Sequence, residues 1–264
     1  MGVRLGVVSY LNTRPLVEGF RTGAIDHDFE LIYDVPSVCA DRLHNNETDV
    51  ALIPAAEIGR GAENYRIVPN VGIVSNGPVR SVFIVLGKEP DEIKTLALDS
   101  GSRTSVVLAQ IVLARQFGCY PEVFVHPPDV DDMLAKADAA LLIGDPALEL
   151  DLKRYCVLDL GEVWTRMTGL PFVYACWTGR KDVLDSEDVA KLIEAKKKGY
   201  PFIPQIAEAY AKEHALSPAF YAEYLTRNIL YDVGEAELEG LRLFYTYGAE
   251  LGLIQNVPDI QFYD

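Results

Sequence analysis

Cysteine and histidine are sparse, four residues of each in 264, and neither is patterned. Cys39, Cys119, Cys156 and Cys176 stand alone with no CxxC spacing, in a chain large enough to bury a core without staples. That excludes a disulfide scaffold and leaves the expectation of reduced, mostly buried thiols. His27, His44, His126 and His214 show no zinc-ligand spacing, so no metal site is expected. Basic charge is also short: 24 Lys+Arg against 39 Asp+Glu leave a net charge of −15, which makes phosphate backbones and anionic membranes poor partners. No run approaches the roughly 20 apolar residues of a membrane span, and Met1 to Tyr10 lacks the design of a signal peptide. The expectation is a cytoplasmic protein that binds neither nucleic acid nor membrane. GxGxxG after a strand, GxxxxGK[ST], GxSxG and HExxH are all missing, so dinucleotide, P-loop, elbow-serine and zincin chemistries have no support.

What is present is a chain 49% hydrophobic, enough for one large unit or two modest ones, with a weak internal repeat. Arg4 to Ser9 reads as a strand that enters a polar turn and then a helix from Pro15, a residue suited to a helical first turn. Lys94 to Asp99 does the same, entering Ser100 to Ser105 and then a helix through Val106, Leu108, Ile111 and Val112. The separation from Arg4 to Lys94 is 90 residues. Asp49-Val-Ala-Leu-Ile-Pro54 and Asp138-Ala-Ala-Leu-Leu-Ile143 form a second pair, 89 residues apart. Two matching offsets predict two similar α/β lobes. Gly77 to Gly87 and Gly169 to Gly179, Gly/Pro-bounded runs rich in β-branched and aromatic residues, read as the crossings between them. The expected division is a discontinuous first lobe, 1–80 and 176–264, with a second lobe, 81–175, inserted. The tail shows helical periodicity over Ser186–Lys197, Pro204–Glu213, Ser217–Asn228 and Gly234–Leu251. Its tyrosines, Tyr224 among them, read as packing within helices, and Lys196 to Lys198 as a solvated helix end.

In such lobes ligands bind where strands end and helices begin, because unpaired backbone N–H groups point there. The turns that qualify are rich in donors: Ser9, Asn12, Thr13, Arg14, Asn76, Arg80, Ser81, Ser102, Arg103, Thr104 and Ser105, against only Glu57 and Asp145 as acids. Donors on both sides of a cleft suit a small dicarboxylate. Simple helix capping by the serines and threonines, surface ion pairs for Arg80 and Arg103, and a cap role for Asp145 before Pro146 are the structural alternatives.

Ser9-Tyr-Leu-Asn-Thr-Arg-Pro-Leu16, Asp49 to Pro54, Gly77 to Ser81, Ser102 to Ser105, Ala139 to Asp145 and Gly169 to Phe172 together resemble the chorismate dehydratases, menaquinone-biosynthesis enzymes of the futalosine pathway. The resemblance runs from about Val3 to Trp177, and SYLNTRPL is its most specific piece. It implies a two-lobed, type II periplasmic-binding-protein-like fold with the ligand cleft between the lobes. It also implies loss of water from chorismate to give 3-[(1-carboxyvinyl)oxy]benzoate without metal or cofactor. By motif, Asn12 and Ser81 carry catalysis. The substrate contacts are expected from Ser9, Asn12, Thr13, Arg80, Ser81, Ser102, Arg103, Thr104, Ser105, Gly144, Asp145 and Phe172. The general base is left between the substrate's own enolpyruvyl carboxylate and Asp145, and the assembly between monomer and homodimer. A non-catalytic cytoplasmic binding protein or sensor for a small carboxylate is the rival reading, since the fold serves that role as well. The sister naphthoate synthase is disfavoured because it lacks the SYLNTRPL opening.

Overall fold

The structure, a computed structural model, describes residues 2–59 and 65–264. Its strands are β1 (Arg4–Val8), β2 (Glu30–Asp34), β3 (Val50–Pro54), β4 (Tyr65–Ser75), β5 (Val82–Leu86), β6 (Thr95–Asp99), β7 (Glu122–His126), β8 (Ala139–Ile143), β9 (Cys156–Asp159) and β10 (Phe172–Arg180). They form two sheets of five, ordered β2-β1-β3-β10-β4 and β7-β6-β8-β5-β9. In the first, β1 runs parallel to β2 and β3, and β10 is antiparallel to β3 and β4. In the second, β6 runs parallel to β7 and β8, and β5 is antiparallel to β8 and β9. The two sheets therefore repeat one plan. β1 and β6 occupy equivalent places, as do β3 and β8, which are the pairs whose sequence spacing is near 90. Every residue of β3 and β8 is buried, the condition under which a strand is apolar on both faces instead of alternating.

The helices are α1 (Arg14–Arg21), α2 (Pro36–His44), α3 (Ala55–Ile58), α4 (Thr104–Phe117), α5 (Val130–Lys136), α6 (Gly144–Leu148), α7 (Leu160–Thr168), α8 (Ser186–Gly199), α9 (Ile203–Tyr210), α10 (Pro218–Glu223) and α11 (Glu235–Glu250). Pro15 sits in the first turn of α1, and α4 stops at Gly118, whose φ of +65° is the left-handed cap that glycine adopts without a steric cost. The chain leaves the first sheet after Ser75, builds the second from Val82 to Asp159, and returns along β10, which pairs with the first sheet over its whole length. Helices α8 and α11 then pack on the first lobe, against α1 and β4 and against β10. Between α10 and α11 lies one π-helical turn, Tyr224–Asn228. Among the described residues no helix is long and apolar enough to cross a membrane.

One expectation changes. Lys196 is not a solvated helix end: it is 9% exposed, and its ammonium donates to the Asn70 carbonyl at 2.8 Å and pairs with Asp232, because α8 turns that side chain under the first sheet's edge. The thiols are mostly buried, as expected: Cys39, Cys119 and Cys176 lie inside, and Cys156, which opens strand β9 at the outer edge of its sheet, is exposed.

Helix α8 bears directly on the start of α1, which follows the donor turn at Asn12. A Cβ on Gly199 would stand 1.8 Å from the Pro15 carbonyl oxygen. Gly199→Ala should therefore cost about 3 kcal/mol, the upper range for overpacking, and lower the thermal midpoint by several degrees. A midpoint equal to that of the parent protein would contradict this close approach.

Candidate active site

A cleft of about 560 Å³, counted to its open mouth, lies between the two sheets. It is bounded by the turns that end β1, β6 and β8 and by the crossing before β5. Of the residues expected to touch substrate, Asn12, Thr13, Ser81, Ser102, Arg103, Thr104, Ser105 and Gly144 line it, beside an apolar floor that includes Leu52, Ile73, Val82 and Ile143. Among the described residues the lining holds no carboxylate, histidine or lysine, and Arg103 is its one charged side chain.

Three aspartates hold these turns in place. Asp99, at the end of β6, accepts from the N–H groups of Gly101 at 2.8 Å and Ile143 at 3.2 Å, which fixes the turn before α4. Asp145, in the second lobe, accepts from Leu11 N–H at 3.0 Å in the first, at the single 3-10 turn Leu11–Thr13 that carries Asn12. Asp159 accepts from Val79 at 3.0 Å, Arg80 at 2.7 Å and Glu162 at 3.1 Å, which fixes the crossing that carries Ser81. Burial pushes all three carboxyls above the usual range, and their N–H partners oppose it. Arg80 has a φ of +61°, an uncommon conformation for a residue with a side chain, and its bond to Asp159 helps to hold it there.

The donors differ in what they are free to do. Ser102 is 3% exposed, and its hydroxyl has no hydrogen-bond partner among the described residues. It precedes α4, a fourteen-residue helix whose N-terminus has no side-chain cap. A helix start without a side-chain cap, beside a buried hydroxyl, offers donors of the kind that a carboxylate accepts from. Thr104 is committed: its hydroxyl donates to the Tyr174 carbonyl at 3.1 Å and accepts from Ala56 N–H at 3.1 Å, so it staples the second lobe to the first. Arg103 stands 3.6 Å from Glu57 and 3.7 Å from Asp41, both in the first lobe. Ser81 accepts a hydrogen bond from the Tyr224 hydroxyl at 2.9 Å, and its own proton points to the Val79 carbonyl at a long 3.4 Å. The Asn12 side chain reaches the same Tyr224 hydroxyl.

Four expected contacts lie outside the cleft lining. Ser9 is exposed on the far side of its turn. The Arg80 guanidinium faces Glu223 at 3.6 Å and the Phe220 ring at 5.6 Å, because its left-handed backbone turns the side chain toward α10. Asp145 lies inside the first turn of α6, whose start has no side-chain cap, and instead of capping that helix it accepts from Leu11 N–H in the other lobe. Phe172 is fully buried edge-on against Trp164, Tyr174 and Phe244, as core. In their place stand three tyrosines that pattern alone did not single out. Tyr10 covers Gly144 so closely that a Cβ there would meet its ring at 2.4 Å, Tyr174 lines the cleft from β10, and Tyr224 lies behind Ser81. Among the described residues no three His, Cys, Asp or Glu side chains gather as metal ligands.

The Ser102 hydroxyl gives a test with opposite signs. Because it has no partner among the described residues, Ser102→Ala should leave the thermal midpoint unchanged or raised, while weakening chorismate, the ligand the sequence resemblance implies, about ten-fold or more in Kd. A lowered midpoint with unchanged Kd would assign the hydroxyl to packing.

The chain is similar to known proteins over most of its length. The family model described as menaquinone biosynthesis matches residues 3–250. A chorismate dehydratase of Thermus thermophilus is 25% identical over 262 residues, covering 91% of this chain and 93% of its own. One of Campylobacter jejuni is 28% identical over 239 residues, 89% and 88% of the two chains. Among solved structures, an Archaeoglobus fulgidus protein superposes with a TM-score of 0.76 at 18% identity over 96% of this chain and 98% of its own. The periplasmic aliphatic sulphonate binding protein of Escherichia coli gives a TM-score of 0.66 at 16% identity, over 99% and 92%. A Candida albicans protein with the generic periplasmic binding protein fold also gives 0.66, at 13% identity over 100% and 99%. The fold is thus the two-lobed periplasmic-binding-protein-like one, and the chain belongs to the menaquinone biosynthesis family.

Proposed function

We propose that the protein is a hydro-lyase that removes water from chorismate to give 3-[(1-carboxyvinyl)oxy]benzoate. The observation that carries the reading is a cleft rich in donors and free of side-chain bases among its described residues. Chorismate brings two carboxylates. The ring carboxylate suits the uncapped start of α4 with the Ser102 hydroxyl, since charge-assisted hydrogen bonds contribute about 1.5–3 kcal/mol each. The matching chorismate dehydratases of Thermus and Campylobacter support the same substrate.

With no base in the lining, the substrate's enolpyruvyl carboxylate takes the ring proton on the ether-bearing carbon. That proton is acidified by the diene conjugated to the ring carboxylate. The C–H pair forms the new ring double bond, the neighbouring C–O bond breaks, and the carboxylic acid passes its proton to the departing hydroxide. One water leaves and the ring is aromatic. Asn12 and Ser81 do the enzyme's share, holding the side chain over the ring proton and donating to the leaving oxygen. Orientation of this kind can supply about 7–11 kcal/mol in the best intramolecular cases.

Incubation with chorismate tests the reading: mass spectrometry should show an aromatic product lighter by one water. Tight binding with no product would instead favour the rival reading, a non-catalytic binding protein or sensor for a small carboxylate. Asn12→Asp should cut kcat at least about 100-fold by setting a like charge beside the carboxylate, whereas Asp145→Asn, whose amide oxygen can still accept from Leu11, should stay within about ten-fold. Turnover by the parent protein should be level from about pH 6 to 9, because no group with a pKa in that range serves as the base. A rise in kcat through a pKa near 6.5 would point to a histidine base and overturn the substrate-assisted route.

A further inference from the structure

A buried hydroxyl behind the cleft is supplied by the tail. Tyr224 is 1% exposed and sits at the start of the π-helical turn Tyr224–Asn228. Its hydroxyl donates to Ser81 Oγ at 2.9 Å across 143 residues of sequence. Four residues on, Asn228 Nδ2 donates to the Pro78 carbonyl at 2.8 Å. One turn of backbone thus grips the Pro78–Ser81 crossing at both ends, and π-turns of this kind recur where function demands a local geometry that an α-helix does not give.

The direction of the Tyr224 bond matters more than its presence. A serine hydroxyl has one proton and two lone pairs. Tyr224 fills an acceptor position on Ser81 Oγ, which leaves the serine proton to find an acceptor of its own. In the free protein that acceptor is the Val79 carbonyl at 3.4 Å, at the far limit of a hydrogen bond, so a better-placed ligand oxygen displaces it at little cost. A hydroxyl that accepts one strong hydrogen bond is also a better donor, because successive bonds in a chain polarise one another.

We propose that Tyr224 is a positioning residue for the elimination: by donating to Ser81 Oγ it presents the serine proton to the leaving hydroxyl of the substrate. The inference rests on the reading above, in which Ser81 faces that hydroxyl. No proton moves along the chain. Tyr224 and Ser81 keep theirs, and the C–O bond breaks with its electron pair toward an oxygen already bonded to the serine. The Asn12 side chain, beside the same phenol, ties the two expected catalytic residues to one buried group.

Tyr224→Phe keeps the ring and removes only the donor, so the variant should fold with a thermal midpoint close to that of the parent. Its kcat on chorismate should fall about ten-fold or more while KM and the Kd for chorismate change less than about three-fold, the pattern of an interaction made in the transition state. Substitution of 3-fluorotyrosine at the same position, which restores a hydroxyl donor, should return kcat to within about three-fold of the parent. Parental kcat in Tyr224→Phe, a raised KM at constant kcat, or a loss that fluorotyrosine does not restore would each overturn the proposal. A parent protein that fails to dehydrate chorismate would overturn the functional reading itself, whereas an active parent with an unaffected Tyr224→Phe variant would remove the positioning role alone.

Discussion

Three aspartates border the cleft, and each turns its carboxylate onto backbone N–H groups instead of into the cavity. Asp99 fixes the turn before α4, Asp145 the turn bearing Asn12, and Asp159 the crossing bearing Ser81. The arrangement achieves two things at once. It orders the three segments that supply the donors, and it directs the nearest negative charge away from an anionic ligand. In a protein of net charge −15 that local arrangement favours an anionic ligand, because the distributed surface charge is screened over about 8–10 Å while charges facing the cavity would be screened less. Burial raises the pKa of all three carboxyls, and their bonds to backbone N–H groups help to keep a charge in these sites.

The lobes are joined by contacts that a donor inventory would count as ligand groups. Thr104 bonds Ala56 and Tyr174 across the divide, Asp145 bonds Leu11, and Arg103 lies between Asp41 and Glu57. What remains unpaired is correspondingly informative. The buried Ser102 hydroxyl has no hydrogen-bond partner among the described residues, and burying a hydroxyl unpaired costs free energy. A solute-binding fold needs only such a grip on its ligand. An elimination needs in addition a donor aimed at the leaving oxygen, and the tail supplies its support through Tyr224.

Much of this was legible in the sequence because the repeat is carried by patterns that backbone geometry enforces. The largely buried strands β1 and β6, ending in polar turns at Asn12 and Ser102, follow from parallel strands feeding helices, and the spacing near 90 residues put β1 beside β6 and β3 beside β8 in type. Side-chain direction was less legible. Arg80 belongs to the donor-rich crossing, yet a left-handed φ turns it onto Glu223, and no local pattern announces that conformation in a non-glycine residue. Tyr224 lies in a stretch of helical periodicity among other buried tyrosines, where the apolar ring explains its place and nothing marks its hydroxyl. Only the return of the tail over the first lobe brings it to Ser81. Lys196 was hidden in the same way, by a run of lysines of which one faces inward.

The central claim is that the cleft grips and orients the substrate while the substrate supplies its own base. The direct test is the chorismate analogue whose enolpyruvyl carboxylate is a methyl ester. The account predicts that it binds in the cleft and displaces chorismate but is not dehydrated, since the proton acceptor is gone. Dehydration of the ester at a rate near that of chorismate would contradict the account and require a base from the protein.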